Sequence, residues 1–263
     1  MEDNKKCSCC GNPYKPYKPY KPYKPYKPYK PYKPYKSCIP STPEYTRVTI
    51  VLPTPPGVEP LPPFIYFDVD NRLEKQKVGL IIATLIGFWE QYYEQLASIG
   101  TSEWGNCSLK YAKKEFTPVW IDEEQGCFID NGEQALNFLM DSLTEFFRQN
   151  GNREARVAKV LYLNPNSNAT MCSSNGDSEF CVPLDVAINP NALNNDLISD
   201  LDLTGSLFHA WTHRIGYRHP VNVYSTYFSA EAAMCLMRGF QDKVPSQPDT
   251  LLTQYFDCTK CNS

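Results

Sequence analysis

All three histidines of this chain lie in one short segment, FHAWTHRIGYRHP, at His209, His213 and His219. Histidine is the side chain that most often binds transition metals or transfers protons near neutral pH. His209 and His213 are four positions apart, so on a helix both imidazoles lie on one face and can bind the same ion. The spacing therefore predicts a metal site.

The residues after this pair provide for a third ligand. Gly216 tolerates the left-handed backbone that ends a helix, and Pro220 cannot continue one. The chain can then turn back and bring His219 to the same ion. We expect Zn²⁺ at this site, although imidazole ligands also suit copper, iron or nickel.

The spacing His-x-x-x-His-x-x-Gly-x-x-His resembles the signature of the metzincin metallopeptidases, HExxHxxGxxH followed by a Met-turn. The resemblance covers about a dozen residues. It implies that the three histidines hold zinc and that a methionine, here Met234 or Met237, forms a hydrophobic floor under the metal. It also implies a polypeptide ligand that binds along an edge strand of the sheet.

One position departs from that signature. The family has a glutamate after the first histidine, where it acts as the general base that takes a proton from the attacking water. This chain has Ala210 there, and alanine accepts no proton. We therefore expect a pseudo-peptidase, or an atypical three-histidine metal enzyme, rather than an ordinary peptidase.

Two residues after the motif are candidates for a replacement catalytic role. Glu231 is the nearest carboxylate after the third ligand and is a candidate base, with an ordinary surface carboxylate as the alternative. Tyr224, like Tyr217 and Tyr227, is a candidate ligand or acid. The alternative for these tyrosines is a packed ring with a hydrogen-bonded hydroxyl.

The other polar and aromatic residues of the segment have two interpretations each. Arg214 and Arg218 are candidates for binding a substrate carboxylate, or they lie on a solvent-facing side. Trp211 is expected in the core rather than in a substrate platform.

The elements that must position these residues follow from hydrophobic periodicity and β-rich runs. We predict an α/β (α+β) domain with a mixed twisted sheet, a long backing helix and a metal-binding helix, in a metzincin-like arrangement. Helices are predicted over residues 74–98, 132–150 and 200–215, and residues 230–256 are expected to be helical or irregular. Strands are predicted over 45–53, 64–72, 108–121 (one or two strands), 156–164, and 180–188 (an edge strand).

The N-terminal part of the chain has a different composition. Residues 13–36 are eight copies of Pro-Tyr-Lys, a period that favours polyproline II. We call this segment the Pro-Tyr-Lys arm. It is expected to be a semi-rigid spacer, or else to bind an anionic or proline-recognising partner, which would make the chain an interaction or scaffold protein. The predicted organisation is a cysteine-containing segment (1–12), the arm (13–36) and the metal-binding domain (43–263).

Net charge and hydropathy limit the kinds of partner that we expect. The net charge is −3, and eight of the 26 basic residues lie in the arm, which has no acidic residue. The rest of the chain is therefore acidic, and we expect no nucleic-acid partner. The longest apolar run, residues 78–89, is too short to span a membrane. With no signal peptide or membrane span recognised, the cytoplasm is the expected compartment.

The chain has eleven cysteines, an odd number with irregular spacing. In the cytoplasm most of them should be reduced thiols, and Cys235 is expected in the core. The segments CSCC (7–10) and CTKC (258–261) would supply thiolates for a zinc site if the two ends met. The alternative is exposed thiols at the two ends.

Overall fold

The structure is a computed structural model, and it describes residues 44–112, 132–152, 157–173, 182–215, 217 and 228–256. The Pro-Tyr-Lys arm and both cysteine-containing ends lie outside these residues. The predicted domain boundaries therefore stay predictions.

Five strands form one mixed sheet within the described residues, as the sequence predicts for an α/β domain. The strands are β1 Tyr45–Val51, β2 Phe64–Asp70, β3 Ala158–Tyr162, β4 Met171–Cys172 and β5 Val186–Ile188. Their order in the sheet is β1-β2-β3-β5-β4. The strands β2, β3 and β5 are parallel, whereas β1 and β4 run antiparallel to their neighbours and form the two edges.

Seven helices are described. They are α1 Lys75–Ile99, α2 Glu103–Tyr111, α3 Gly132–Asn152, α4 Pro190–Leu193, α5 Asp200–Ile215, α6 Phe228–Met237 and α7 Asp249–Thr253. The predictions of α1, α3 and α5 are confirmed, α5 with both of its ends. None of the described helices is long and apolar enough to cross a membrane.

Aromatic side chains join the long helices to the sheet and so fix the position of α5. Trp211 of α5 stacks on Phe67 of β2, with ring centroids 6.2 Å apart, and meets Phe147 of α3 edge-on. Phe147 in turn meets Trp89 of α1. All four rings are fully buried, so the helix that carries the histidine pair is held by the core.

The strands predicted over 108–121 are wrong for residues 108–111, which belong to α2. The reason lies upstream, where Ser102 accepts a hydrogen bond from the amide of Gly105 and caps the helix. Trp104 and Cys107 then pack inward from this helix. Residues 113–121 lie outside the described part of the chain.

The edge strand predicted over 180–188 is also wrong in extent and in place. Within the described residues 182–188, the strand is limited to Val186–Ile188, and it lies inside the sheet because β4 pairs with its outer side. Pro183 precedes β5, so it removes no hydrogen bond from the ladder. The edge on this side is β4.

Candidate metal centre

The histidine pair lies on α5, a helix with a well-defined start. Ser199 and Asp202 cap it reciprocally: the amide of Asp202 donates to Ser199 Oγ, and the amide of Ser199 donates to Asp202 Oδ2. The helix then runs to Ile215. His209 and His213 are one turn apart on it and face each other.

The two imidazoles meet through their Nε2 atoms, which are 3.1 Å apart. The rings are nearly perpendicular, with an interplanar angle of 89°. Two nitrogens bound to one tetrahedral zinc ion at about 2.0–2.1 Å lie roughly 3.3 Å apart. The separation therefore suits a shared cation, and it equally suits a hydrogen bond in which one Nε2 donates to the other.

The hydrogen bond at the other ring nitrogen of His213, Nδ1, determines the tautomer of this residue. Nδ1 lies 2.8 Å from the carbonyl oxygen of Tyr217. Because that oxygen only accepts, Nδ1 carries the hydrogen, and Nε2 of the neutral ring presents a lone pair toward His209. A backbone carbonyl on the outer nitrogen is the usual way in which proteins orient a metal-binding histidine.

A backbone hydrogen bond closes the described end of α5. The amide of Tyr217 donates to the carbonyl of Thr212, 3.1 Å away, which is the long backbone bond of a Schellman helix end. Gly216 and His219 lie outside the described residues, so the third ligand stays a prediction.

The hydroxyl of Tyr217 binds a backbone carbonyl. The hydroxyl donates to the carbonyl of Ala135 on α3, at 2.9 Å, and the residue is buried. Burial raises the pKa of Tyr217 well above its usual value, so it is a poor acid. Tyr224 and Tyr227 lie outside the described residues.

Phe256 contacts the pair in a way that sequence reasoning missed. Its ring stacks on the imidazole of His209, with centroids 4.2 Å apart and an interplanar angle of 14°. His209 and Phe256 are only 2% and 6% exposed. No local signal connects two residues this far apart in the chain.

The two Met-turn candidates, Met234 and Met237, are both in helix α6, so they do not adopt the predicted turn. Both are buried. Met237 packs against Gly205 of α5, one turn before His209: a Cβ at Gly205 would lie 2.5 Å from Met237 Cγ. The described contact beneath His209 is made by Phe256 instead.

Glu231 is part of a buried ion cluster rather than a surface carboxylate. It is fully buried in α6, and its Oε1 accepts from Lys243 Nζ at 2.9 Å. Arg238 approaches Oε2 at 3.9 Å, and Lys243 also binds Asp249 at 2.6 Å. Burial raises the pKa of the Glu231 carboxyl, against the influence of Lys243. These contacts favour a structural role, and a base role stays a prediction.

The remaining described residues of the motif on α5 contact neighbouring parts of the chain or are buried, and the substrate-binding role of Arg214 stays a prediction. Trp211 is in the core, as expected, and its Nε1 donates to the carbonyl of Leu184. Arg214 donates to the carbonyls of Val182 and Pro183, so it holds the segment that leads into β5. Ala210 is buried, with 4% exposure. Arg218 lies outside the described residues.

The expectation of reduced thiols is wrong for the described cysteines. Cys107 of α2 and Cys235 of α6 form a disulfide, and Cys172 is also disulfide-bonded. These are all the cysteines within the described ranges. Cys235 is buried, as predicted. Stable disulfides are rare in the cytoplasm, so the cytoplasmic location stays a prediction.

Within the described residues, no group of three or more His, Cys, Asp or Glu side chains is arranged to hold a metal ion. His219 is not among those residues, so this finding leaves the three-histidine site untested. No protein family, curated protein or solved structure matches the chain in comparisons with known proteins. The likeness to metzincins therefore rests on the motif alone.

Proposed function

We propose that this chain is a metal-binding protein, with zinc held by His209, His213 and His219 in a metzincin-like site. The observation that carries the proposal is the 3.1 Å approach of the Nε2 atoms of His209 and His213, together with the Tyr217 carbonyl on His213 Nδ1. The pair has the separation, and His213 the tautomer, that metal binding requires.

The donor set fits the ion. Neutral imidazoles are ordinary zinc ligands, and three of them leave a position open on a tetrahedral ion. When bound, the metal supplies Lewis acidity at that position. The chain's own contribution is to orient the ligands. Helix α5 sets the spacing of His209 and His213, and the carbonyl of Tyr217 sets the tautomer of His213. Copper, iron or nickel would fit the same donors.

The absence of a general base after the first histidine favours metal and ligand binding over peptide hydrolysis. Ala210 carries no group that can accept a proton, and Glu231 is already paired with Lys243. We therefore propose a pseudo-peptidase, or an atypical three-histidine enzyme, with a polypeptide as the ligand. The described edge strand that contacts α5 is β4, Met171–Cys172, and it takes the place of the predicted edge strand.

Elemental analysis of the purified protein after zinc reconstitution tests the metal. We expect about one equivalent of zinc in the parent protein and a large loss in His213→Ala, because two ligands hold the ion far more weakly than three. Asp200→Ala is the matched control, since Asp200 is exposed at the start of the same helix. Clearly less than one equivalent in the parent protein would contradict the proposal.

Deletion of residues 13–36 separates this proposal from the interaction-protein alternative. Under our proposal, the deletion leaves the metal content unchanged. Loss of partner binding on deletion, with the metal retained, would assign the interaction to the Pro-Tyr-Lys arm.

A further inference from the structure

The segment after α6 brings an aromatic ring to the histidine pair. Phe256 covers one face of the His209 ring, almost parallel to it and 4.2 Å away between centroids. The edge of the same imidazole, at Nε2, points to His213. The ring of His209 is therefore held on one face and at one edge by two different parts of the chain.

Several contacts hold Phe256 in this place. Its amide donates to the carbonyl of Thr253, and the carbonyl of Tyr255 accepts from Ser206 Oγ of α5 at 3.3 Å. Leu252 of α7 is buried in the core. Ser206 lies three residues before His209, so the end of this segment is hydrogen-bonded to the helix that carries the ligands.

The buried ion cluster anchors the beginning of the same segment. Asp249, the first residue of α7, binds Lys243 at 2.6 Å and approaches Arg238 at 3.6 Å. Lys243 also binds Glu231 of α6. Glu231 is therefore connected to the histidine pair through α7 and Phe256.

We propose that Phe256 is a positioning residue that holds the His209 ring in the orientation required for metal binding. The proposal rests on the proposed metal site. A histidine must be fixed in rotation to direct Nε2 at an ion. Mutation of the groups that orient metal-binding histidines by hydrogen bonds typically lowers metal affinity by about 10–100-fold, and we expect a stacked ring to act at the lower end of that range. An imidazole bound to a cation is also electron-poor, and the face of a phenyl ring is electron-rich, so metal binding strengthens the stacking.

The test compares metal affinities among variants of the full chain, measured by competition with a chromophoric zinc chelator. We expect Phe256→Ala and Phe256→Leu to bind zinc about tenfold more weakly than the parent protein. Phe256→Tyr, which keeps the ring face, should restore binding to within about threefold. Leu251→Ala is the matched control, because Leu251 is an exposed apolar residue of the same α7.

A spectroscopic measurement separates positioning from a general loss of structure. The d–d absorption of the cobalt(II)-substituted protein reports ligand geometry, and it should change in Phe256→Leu but not in Leu251→Ala. Phe256→Leu keeps most of the apolar volume, so both measurements can be made on this variant if Phe256→Ala does not fold.

The outcomes distinguish this inference from the proposal on which it rests. Parent-like affinity and an unchanged cobalt spectrum in Phe256→Leu, with binding lost in His213→Ala, would overturn the role of Phe256 and leave the metal site standing. Failure of the parent protein to bind any zinc or cobalt would overturn both.

Discussion

At the scale of single residues, ligand orientation and proton transfer are separate properties of this site. His213 has the tautomer that metal binding needs, because the Tyr217 carbonyl accepts from its Nδ1. Ala210, the residue after His209, supplies no base. The glutamate that acts as general base in the metzincin signature is therefore the one residue of the motif that this chain lacks.

Restoring that residue is the direct test of hydrolysis. We expect little peptide hydrolysis by the zinc-loaded parent protein and a gain of about 100-fold or more in Ala210→Glu, since general-base catalysis contributes on that order. The rate of cleavage of a fluorogenic peptide library measures it.

Ala210→Gln is the matched control, because glutamine has nearly the size of glutamate but accepts no proton at neutral pH. Substantial hydrolysis by the parent protein that disappears in Glu231→Gln would contradict the prediction. It would show that Glu231 acts as the base in spite of its pairing with Lys243.

At the scale of elements, the position of α5 depends on a close approach to α6. Gly205 lies where the two helices meet. A Cβ at this position would be 2.9 Å from the carbonyl oxygen of Ala233 as well as close to Met237. The absence of a side chain at Gly205 lets α6 pack beside the turn that precedes His209.

Gly205→Ala should destabilise the protein, although alanine favours helices by about 1 kcal/mol over glycine. A backbone oxygen cannot move aside as a flexible side chain does, so we expect a net loss of about 1–3 kcal/mol in the free energy of unfolding. Denaturant unfolding followed by circular dichroism measures this loss.

Gly87→Ala in α1 is the matched control. A Cβ at Gly87 has no atom within 4 Å, so this variant should be more stable than the parent protein by about 0.5–1 kcal/mol. If the two variants shift in the same direction, the close approach at Gly205 is not what decides the packing.

At the scale of the whole molecule, one disulfide joins parts of the chain that are 128 residues apart. It connects α2 with α6, and a hydrogen bond from Trp104 Nε1 to the carbonyl of Ala232 crosses the same interface. Arg238 Nη2 lies 3.4 Å from Cys235 Sγ. The disulfide thus secures α6, which carries Glu231 of the buried ion cluster and packs on α5.

Removing this cross-link should cost about 2–5 kcal/mol in the free energy of unfolding, because a long loop is released in the unfolded chain. We expect the double variant Cys107→Ala/Cys235→Ala, measured without reductant, to show this loss in thermal or denaturant unfolding. The measurement without reductant keeps the disulfide at Cys172 intact, so the two cross-links are distinguished. Stability equal to that of the parent protein would contradict the prediction.

The sequence alone was sufficient to predict the features that depend on residues close together in the chain. Apolar periodicity predicted the helices α1, α3 and α5, and β-rich runs predicted β1, β2 and β3, since both patterns reflect which side of an element is buried. The spacing of His209 and His213 placed both imidazoles on one face, because a helix repeats every 3.6 residues.

Only the tertiary structure decided the features that depend on distant contacts. Phe256 reaches His209, Cys107 pairs with Cys235, and Glu231 is buried against Lys243. The strand Val186–Ile188 is interior rather than an edge because β4 returns to pair with it. Each of these depends on how separate elements of the chain pack together, and local composition and spacing carry no record of that packing.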